Sequence, residues 1–580
     1  MKRYYTGVSK KQHKQKRKHR NYYKQIQNQK PKQIPKLKQK FSLRELLSST
    51  TQKNEKITAT LIALFVLILV HAPMILFALF PKDGLVFLGR HNADDGDVYT
   101  YISYIEQAKQ GKWLLRNNFT SEYQVPSLIR PSYILIGKFA AITHISSLLA
   151  YHVAQIIFCL FFFVVAYQFI RKLFKTPKQR LLVFFILLTS SGFGWLFGQF
   201  IDTTDLYVVE ANTFLALGNS PHFILSHALM LSGVLLYLKF IERKKFVFGI
   251  LTALVLFPLA FEHPFDLMIL APVFFLTGLW TSLPFIQNIT VSALVAIPLV
   301  FPILQVKQNA IFAAEQAQRP SYSPNPFNWI LGFGFLLPLA IYGITKYRPK
   351  ARPLEKLLIV WVVIAPFLVY FPVEFQRRLS EGLHIPIAML AVLGLMELYN
   401  VMTRKAAAIL PKVKQKEIKR LTKAFIVGIA VLLAFTSVSH VVDDIKIINK
   451  NSLYHYYFYI SYPEYDAISW IKINVPENTV ILANFFYGNI IAGMTARQVY
   501  VGHSAQTIHF DQKVEKINNF IINTDNTSAY QFLEENSIQY IFTTKSDSLT
   551  AYGFKPDEKP YLEKVYDHDG VYIYKVKEDY

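Results

Sequence analysis

Eleven apolar runs, each long enough to reach across about 30 Å of hydrocarbon, decide what this chain can fold into. They lie at 57–80, 149–170, 180–198, 222–240, 246–262, 267–284, 289–305, 328–345, 356–373, 384–402 and 424–440. Backbone amides find no water inside a bilayer, so such runs must bond internally as helices. Of the 580 residues, 52% are hydrophobic and only 17% are charged, a balance that fits a membrane protein and not a soluble one. The expected architecture is a polytopic α-helical membrane domain at 57–440 with about 11 transmembrane helices and a large first loop at 81–148. A basic tail at 1–56 precedes it, and an α/β domain at 441–580 follows.

The stretch 129–147 carries Lys138 and His144 in otherwise apolar surroundings. Taken as an interfacial helix, it leaves the basic loops at 171–175, 241–245, 346–356 and 403–420 together on one side, as Lys and Arg prefer. This choice predicts a cytoplasmic N-terminus and an extracytoplasmic C-terminal domain on a plasma (inner) membrane protein.

The net charge of +25 does not point to nucleic acid, because most of it sits in one place. Residues 1–56 hold 18 Lys/Arg against two Glu, in a segment poor in aliphatics that reads as a disordered cytoplasmic tail beside anionic head groups. Residues 441–580 reverse the sign, with 18 Asp/Glu against 12 Lys/Arg. Their periodicity predicts helices at 463–475, 488–494, 512–522 and 528–536, and strands at 479–484, 498–501, 540–543, 562–566 and 571–576. One cysteine, Cys159, excludes an intrachain disulfide and a cysteine-based zinc site. No Walker or Rossmann glycine pattern supports nucleotide binding.

Just past the first span stands Asp94-Asp95-Gly96-Asp97, opening the stretch Val98 to Trp113. Val98, Tyr101, Ile102, Ile105 and Ala108 share a helical face, which predicts an interfacial helix with Thr100, Ser103, Gln107 and Gln110 turned to water. Helix capping asks for one acidic residue and contributes about 1 kcal/mol. Three carboxylates in four positions exceed that need, so Asp94, Asp95 and Asp97 are candidate catalytic or substrate-binding groups. Arg377 and Arg378 lie at the end of a later span, where guanidinium forks suit a lipid phosphate; anchoring in head groups or pairing with Glu374 and Glu381 is the structural alternative. His222, His227, Glu262, His263 and Asp266 gather at two neighbouring rims. Imidazole and carboxylate are ordinary ligands of divalent metals, but no HExxH-like spacing is present; the expected role is hydrogen bonding to sugar or phosphate, and no cofactor is assigned. Gly502 to Thr507 reads as a plain loop after a strand, polar enough to touch a substrate.

Asp97, then Tyr101, then Gly111-Lys112-Trp113 resembles the first loop of the GT-C superfamily of membrane glycosyltransferases, in its protein mannosyltransferase and aminoarabinose transferase branches. The spacing is one residue shorter than in those branches, and Asp94-Asp95 offer a second register. The resemblance implies transfer of a sugar from a polyprenyl-phosphate donor to a glycan, lipid or protein acceptor on the extracytoplasmic face. It implies one of the three Asp residues as general base, Tyr101 near the substrate, and Arg377 and Arg378 on the lipid phosphate. A lipid-linked sugar flippase and a non-catalytic, membrane-anchored assembly protein are the rival readings. Ionisable residues crowding the rims, and not mid-span, weigh against the first of these.

Overall fold

The computed structural model describes residues 43–89, 96–309, 311, 313–314, 320–347, 351–411, 413–449, 458–545, 547, 549, 553–578 and 580. The basic tail up to residue 42, together with Asp94 and Asp95, lies outside the described residues. Ile57–Tyr580 forms one compact unit, distinct by its contacts from Met1–Lys56.

Seven helices are long and apolar enough to cross a membrane: Lys53–Leu79, Ser147–Leu173, Pro177–Phe197, Pro221–Arg243, Phe285–Gln308, Gln376–Ile409 and Gln415–Asn449. An eighth is broken, its halves Pro326–Phe333 and Leu336–Lys346 meeting at 83°. The three other apolar runs are helical but shorter: Phe246–Glu262 and Phe265–Trp280, and the 17-residue Pro353–Val369. They fall below the roughly 20 residues of a straight crossing, so the structure supports seven or eight full-length helices where the sequence predicts eleven. Pro258 and Pro264 precede the short helices Leu259–Glu262 and Phe265–Trp280, where the missing N–H of proline favours a break. The 129–147 stretch is the 13-residue helix Pro131–Thr143, about 20 Å long at 1.5 Å per residue and too short to span.

The first loop does not carry a surface helix. Asp97–Lys109 is buried from Val98 through Ala108, including Thr100, Ser103 and Gln107. Gln107 and Ser103 are bonded to other parts of the first loop. Gln107 exchanges two 2.9 Å hydrogen bonds with the backbone of Arg116, and Asn118 donates to the Ser103 hydroxyl at 3.3 Å. Helix Pro131–Thr143 packs so closely on it that a Cβ at Gly137 would stand 2.4 Å from the Ile105 carbonyl oxygen. A backbone atom cannot step aside as a flexible side chain can. Gly137→Ala is therefore expected to destabilise the protein by about 1–3 kcal/mol, read as a lower thermal unfolding midpoint in detergent.

Among the described residues the C-terminal part holds six short strands, and a seventh comes from the first loop. Strand β1 (Leu85–Phe87) pairs antiparallel with β2 (Tyr459–Ser461). The other five, β3 (Val480–Leu482), β4 (Gln498–Val499), β5 (Ile538–Thr544), β6 (Leu562–His568) and β7 (Val571–Val576), form one sheet of order β4-β3-β5-β7-β6. β3 runs parallel to β4 and β5, whereas β7 is antiparallel to β5 and β6. Helices Tyr462–Asn474, Phe485–Thr495, Phe510–Ile522 and Asn526–Glu535 alternate with them in the expected order. At the β4 edge the first loop joins on: the Val499 amide donates to the Asn118 carbonyl at 2.9 Å, and Thr120 bridges Val501. The loop that follows β4 is thereby brought against the start of helix Asp97–Lys109.

Candidate active site

A cavity of about 920 Å³ lies between the first loop, the helix ends and the loop after β4. Asp97 reaches it because Gly96 takes over the capping position. Gly96 has a φ of 104°, and a Cβ there would meet the Asn489 amide at 2.3 Å; its carbonyl accepts the Tyr99 amide at 2.9 Å. Asp97 is left free to turn its Oδ1 to the His503 ring, 2.9 Å away. Nδ1 of His503 accepts a 3.0 Å bond from the Ala505 amide. A neutral ring held this way carries its proton on Nε2 and donates it to Asp97.

The Asp97 side chain is 55% exposed while His503 is 2% exposed, but the water it meets is that of an enclosed cavity. Desolvation is accordingly the largest influence and pushes its pKa up. The hydrogen bond from His503, with the charges of Arg378 and Arg130, outweighs that push and holds the carboxyl below its ordinary value. The carboxylate and the guanidinium of Arg378 thus face one space.

The arginines are held differently. Arg377 pairs with Glu210 at 3.4 Å. Arg378 lies over the Phe265 ring, 5.2 Å from its centroid, and no carboxylate approaches it within 4.0 Å among the described residues. Arg130 donates to the Glu262 carbonyl at 3.0 Å and covers the Tyr101 ring at 5.4 Å. Tyr101 stacks on Tyr133 with centroids 4.9 Å apart and planes 4° from parallel.

Six predicted residues, Asp97, Tyr101, Glu262, His263, Arg377 and Arg378, line this one cavity. The carboxylate of Glu262 is already committed, accepting from the Ser132 amide and, at 2.7 Å, from its hydroxyl. His222 and Asp266 stand behind the wall: His222 Nδ1 is 2.8 Å from the Tyr133 hydroxyl, and Asp266 is 2.7 Å from His263 Nδ1. His503 belongs to the polar loop Gly502 to Thr507, which reads from sequence as a plain loop able to touch a substrate, and Arg130 gives only the weak signal of a basic residue before a proline at a helix start. The groups that lower the Asp97 pKa are one imidazole and two guanidiniums, a set that suits an anion beside the carboxylate.

No family model and no curated protein matches the chain. Solved structures share its fold. The oligosaccharyltransferase of Archaeoglobus fulgidus in its apo form superposes with a TM-score of 0.51 at 13% identity, covering 90% of this chain and 74% of that one. The same enzyme, AglB, in complex with an inhibitory peptide and a dolichol-phosphate gives 0.50 at 12% identity, over the same 90% and 74%. ArnT from Cupriavidus metallidurans in the apo state gives 0.47 at 13% identity, over 89% and 97%. The chain shares the fold of the archaeal oligosaccharyltransferase.

Proposed function

We propose that this protein is an integral membrane glycosyltransferase that moves a sugar from a polyprenyl-phosphate donor to an acceptor hydroxyl or amide on the extracytoplasmic face. The observation that carries the reading is the shared cavity: a carboxylate whose pKa is held down and an arginine that no described carboxylate approaches within 4.0 Å look into one space. A hydroxyl attacks poorly until its proton is removed, and Asp97 is placed to take it. As the new bond to the anomeric carbon forms, the bond from that carbon to the phosphate oxygen breaks. The electron pair leaves on the lipid phosphate, where Arg378, with Arg377 and Arg130 nearby, offsets the growing charge. A single displacement of this kind inverts the configuration at the sugar carbon.

The test uses the full chain in lipid nanodiscs for transfer and in sealed lipid vesicles for flipping, with a panel of radiolabelled polyprenyl-phosphate sugars. Transfer of label with release of free polyprenyl phosphate is the expected result. Equilibration of intact donor across vesicles, with no label transferred, would assign a flippase instead.

The electrostatics add a pH signature. With its pKa depressed, Asp97 stays a carboxylate as the pH falls through the ordinary carboxylate range. Its acid limb in kcat/KM is expected below that range, where proton uptake removes the base. His503→Ala removes the strongest lowering influence and leaves desolvation to dominate, so the limb moves to higher pH. The linkage has the same sign for stability: the contribution of Asp97 is present above its unfolded pKa and is lost as pH falls through its folded one. A limb unmoved by His503→Ala would separate His503 from the base.

A further inference from the structure

Directly behind His263 lies a second cluster that sugar transfer does not use. The ligand atoms of His263, Asp266 and Glu381 all lie within 4.8 Å of one another, and Nε2 of His227 stands 2.8 Å from Oε1 of Glu381. His263 Nδ1 is 2.7 Å from Asp266 Oδ1 and 3.9 Å from Glu381 Oε2. None of the four residues is more than 2% exposed. Even so, both oxygens of Glu381 and Oδ2 of Asp266 accept no hydrogen bond, and His227 is misaligned for one despite its short distance. Buried carboxylates with unmet acceptors are costly, and two of them side by side are costlier. His263 and Asp266 are hydrogen-bonded to each other, but the other oxygens and the His227 nitrogens converge unmet, an arrangement that suits a shared third atom. Four donors around a tetrahedral ion, each at about 2.1 Å, stand about 3.4 Å apart, a spacing bracketed by the 2.7, 2.8 and 3.9 Å seen here.

We propose that His227, His263, Asp266 and Glu381 form a closed, four-ligand site for a divalent transition-metal ion of the zinc class. Two imidazoles and two carboxylates suit such an ion and cancel its charge. Four protein ligands leave no position for water, which makes the role structural. His227 comes from helix Pro221–Arg243, His263 from the break after helix Leu259–Glu262, Asp266 from the first turn of helix Phe265–Trp280, and the fourth ligand is Glu381, whose amide bonds the Arg378 carbonyl at 3.3 Å. The ion therefore ties two helices to the turn that carries Arg377 and Arg378, and it fixes those guanidiniums at the cavity wall.

The test is elemental analysis of the full chain, purified on a tag without histidine, loaded with zinc and desalted. The expected content is about one zinc per chain, falling below about a tenth of an ion in Glu381→Gln and in His263→Gln. Stripping with a strong chelator should lower the thermal unfolding midpoint of the wild type and leave that of Glu381→Gln unchanged, which separates lost metal from misfolding. Wild-type protein that retains no zinc after loading would overturn the site and point to a metal-free His-carboxylate network, as would variants that keep a full equivalent. Metal content and chelator sensitivity do not depend on turnover, so this outcome is distinguishable from failure of the transferase reading.

Discussion

Asp97→Asn is expected to lower kcat by about 10² to 10⁴-fold, the range a positioned general base contributes, while donor binding and the unfolding midpoint stay close to wild type. Asparagine keeps an oxygen to accept the Nε2–H of His503 and nearly the same volume, so the geometry around Gly96 survives. It cannot accept the acceptor's proton. Because Asp97 faces cavity water with 55% of its side chain, losing the charge leaves little buried polarity unmet. Glu262 is the informative contrast on the same cavity. Its carboxylate holds the start of helix Pro131–Thr143 through Ser132, so Glu262→Gln should reduce stability before it reduces the chemical step. Single-turnover transfer from a labelled polyprenyl-phosphate sugar, measured beside thermal unfolding, distinguishes the two carboxylates. An Asp97→Asn variant with an undiminished rate would remove Asp97 from the chemistry.

What could be seen in the sequence follows the range of the interactions involved. All eleven apolar runs are helical, because a run that must satisfy its own backbone in lipid has one solution. Their lengths were harder to foresee, since prolines such as Pro258 and Pro264 shorten helices without lowering hydropathy. In the C-terminal part, alternating periodicity was enough to order the helices and the five-stranded sheet. The strand Tyr459–Ser461 is different: it exists only because Leu85–Phe87, more than 370 residues earlier, pairs with it. Helix Asp97–Lys109 shows the same limit. Its polar positions have the spacing of a solvated face, but Gln107 and Ser103 are bonded to Arg116 and Asn118 and the helix is covered by helix Phe485–Thr495, which local patterning cannot reveal. Asp97, Tyr101 and Arg378 stand out in the sequence by residue type, and the structure brings them to one cavity. His503 stands out only as part of a polar loop, because its contact with Asp97 depends on an edge strand that delivers it across 406 positions of chain.

Arg378→Gln is expected to lower kcat/KM by about 10² to 10³-fold, comparable to the loss of one preorganised donor to a developing anion, and Arg377→Gln by distinctly less. The difference comes from what each guanidinium already holds. Arg377 is engaged with Glu210 at 3.4 Å, and Glu210 is 4% exposed, so Arg377→Gln strands a buried carboxylate and should appear first as a lower unfolding midpoint. Arg378 lies over the Phe265 face, and among the described residues no carboxylate pairs with it, so its N–H donors suit an anion. Arg378→Lys should restore part of the rate and not all of it, because an ammonium supplies the charge without the planar fork that takes two phosphate oxygens at once. If Arg378 acts on the leaving phosphate, its loss should also weaken inhibition by free polyprenyl phosphate. Equal effects at the two positions, or a rate loss that follows the unfolding midpoint in both, would make the pair a structural anchor and leave the phosphate to Arg130.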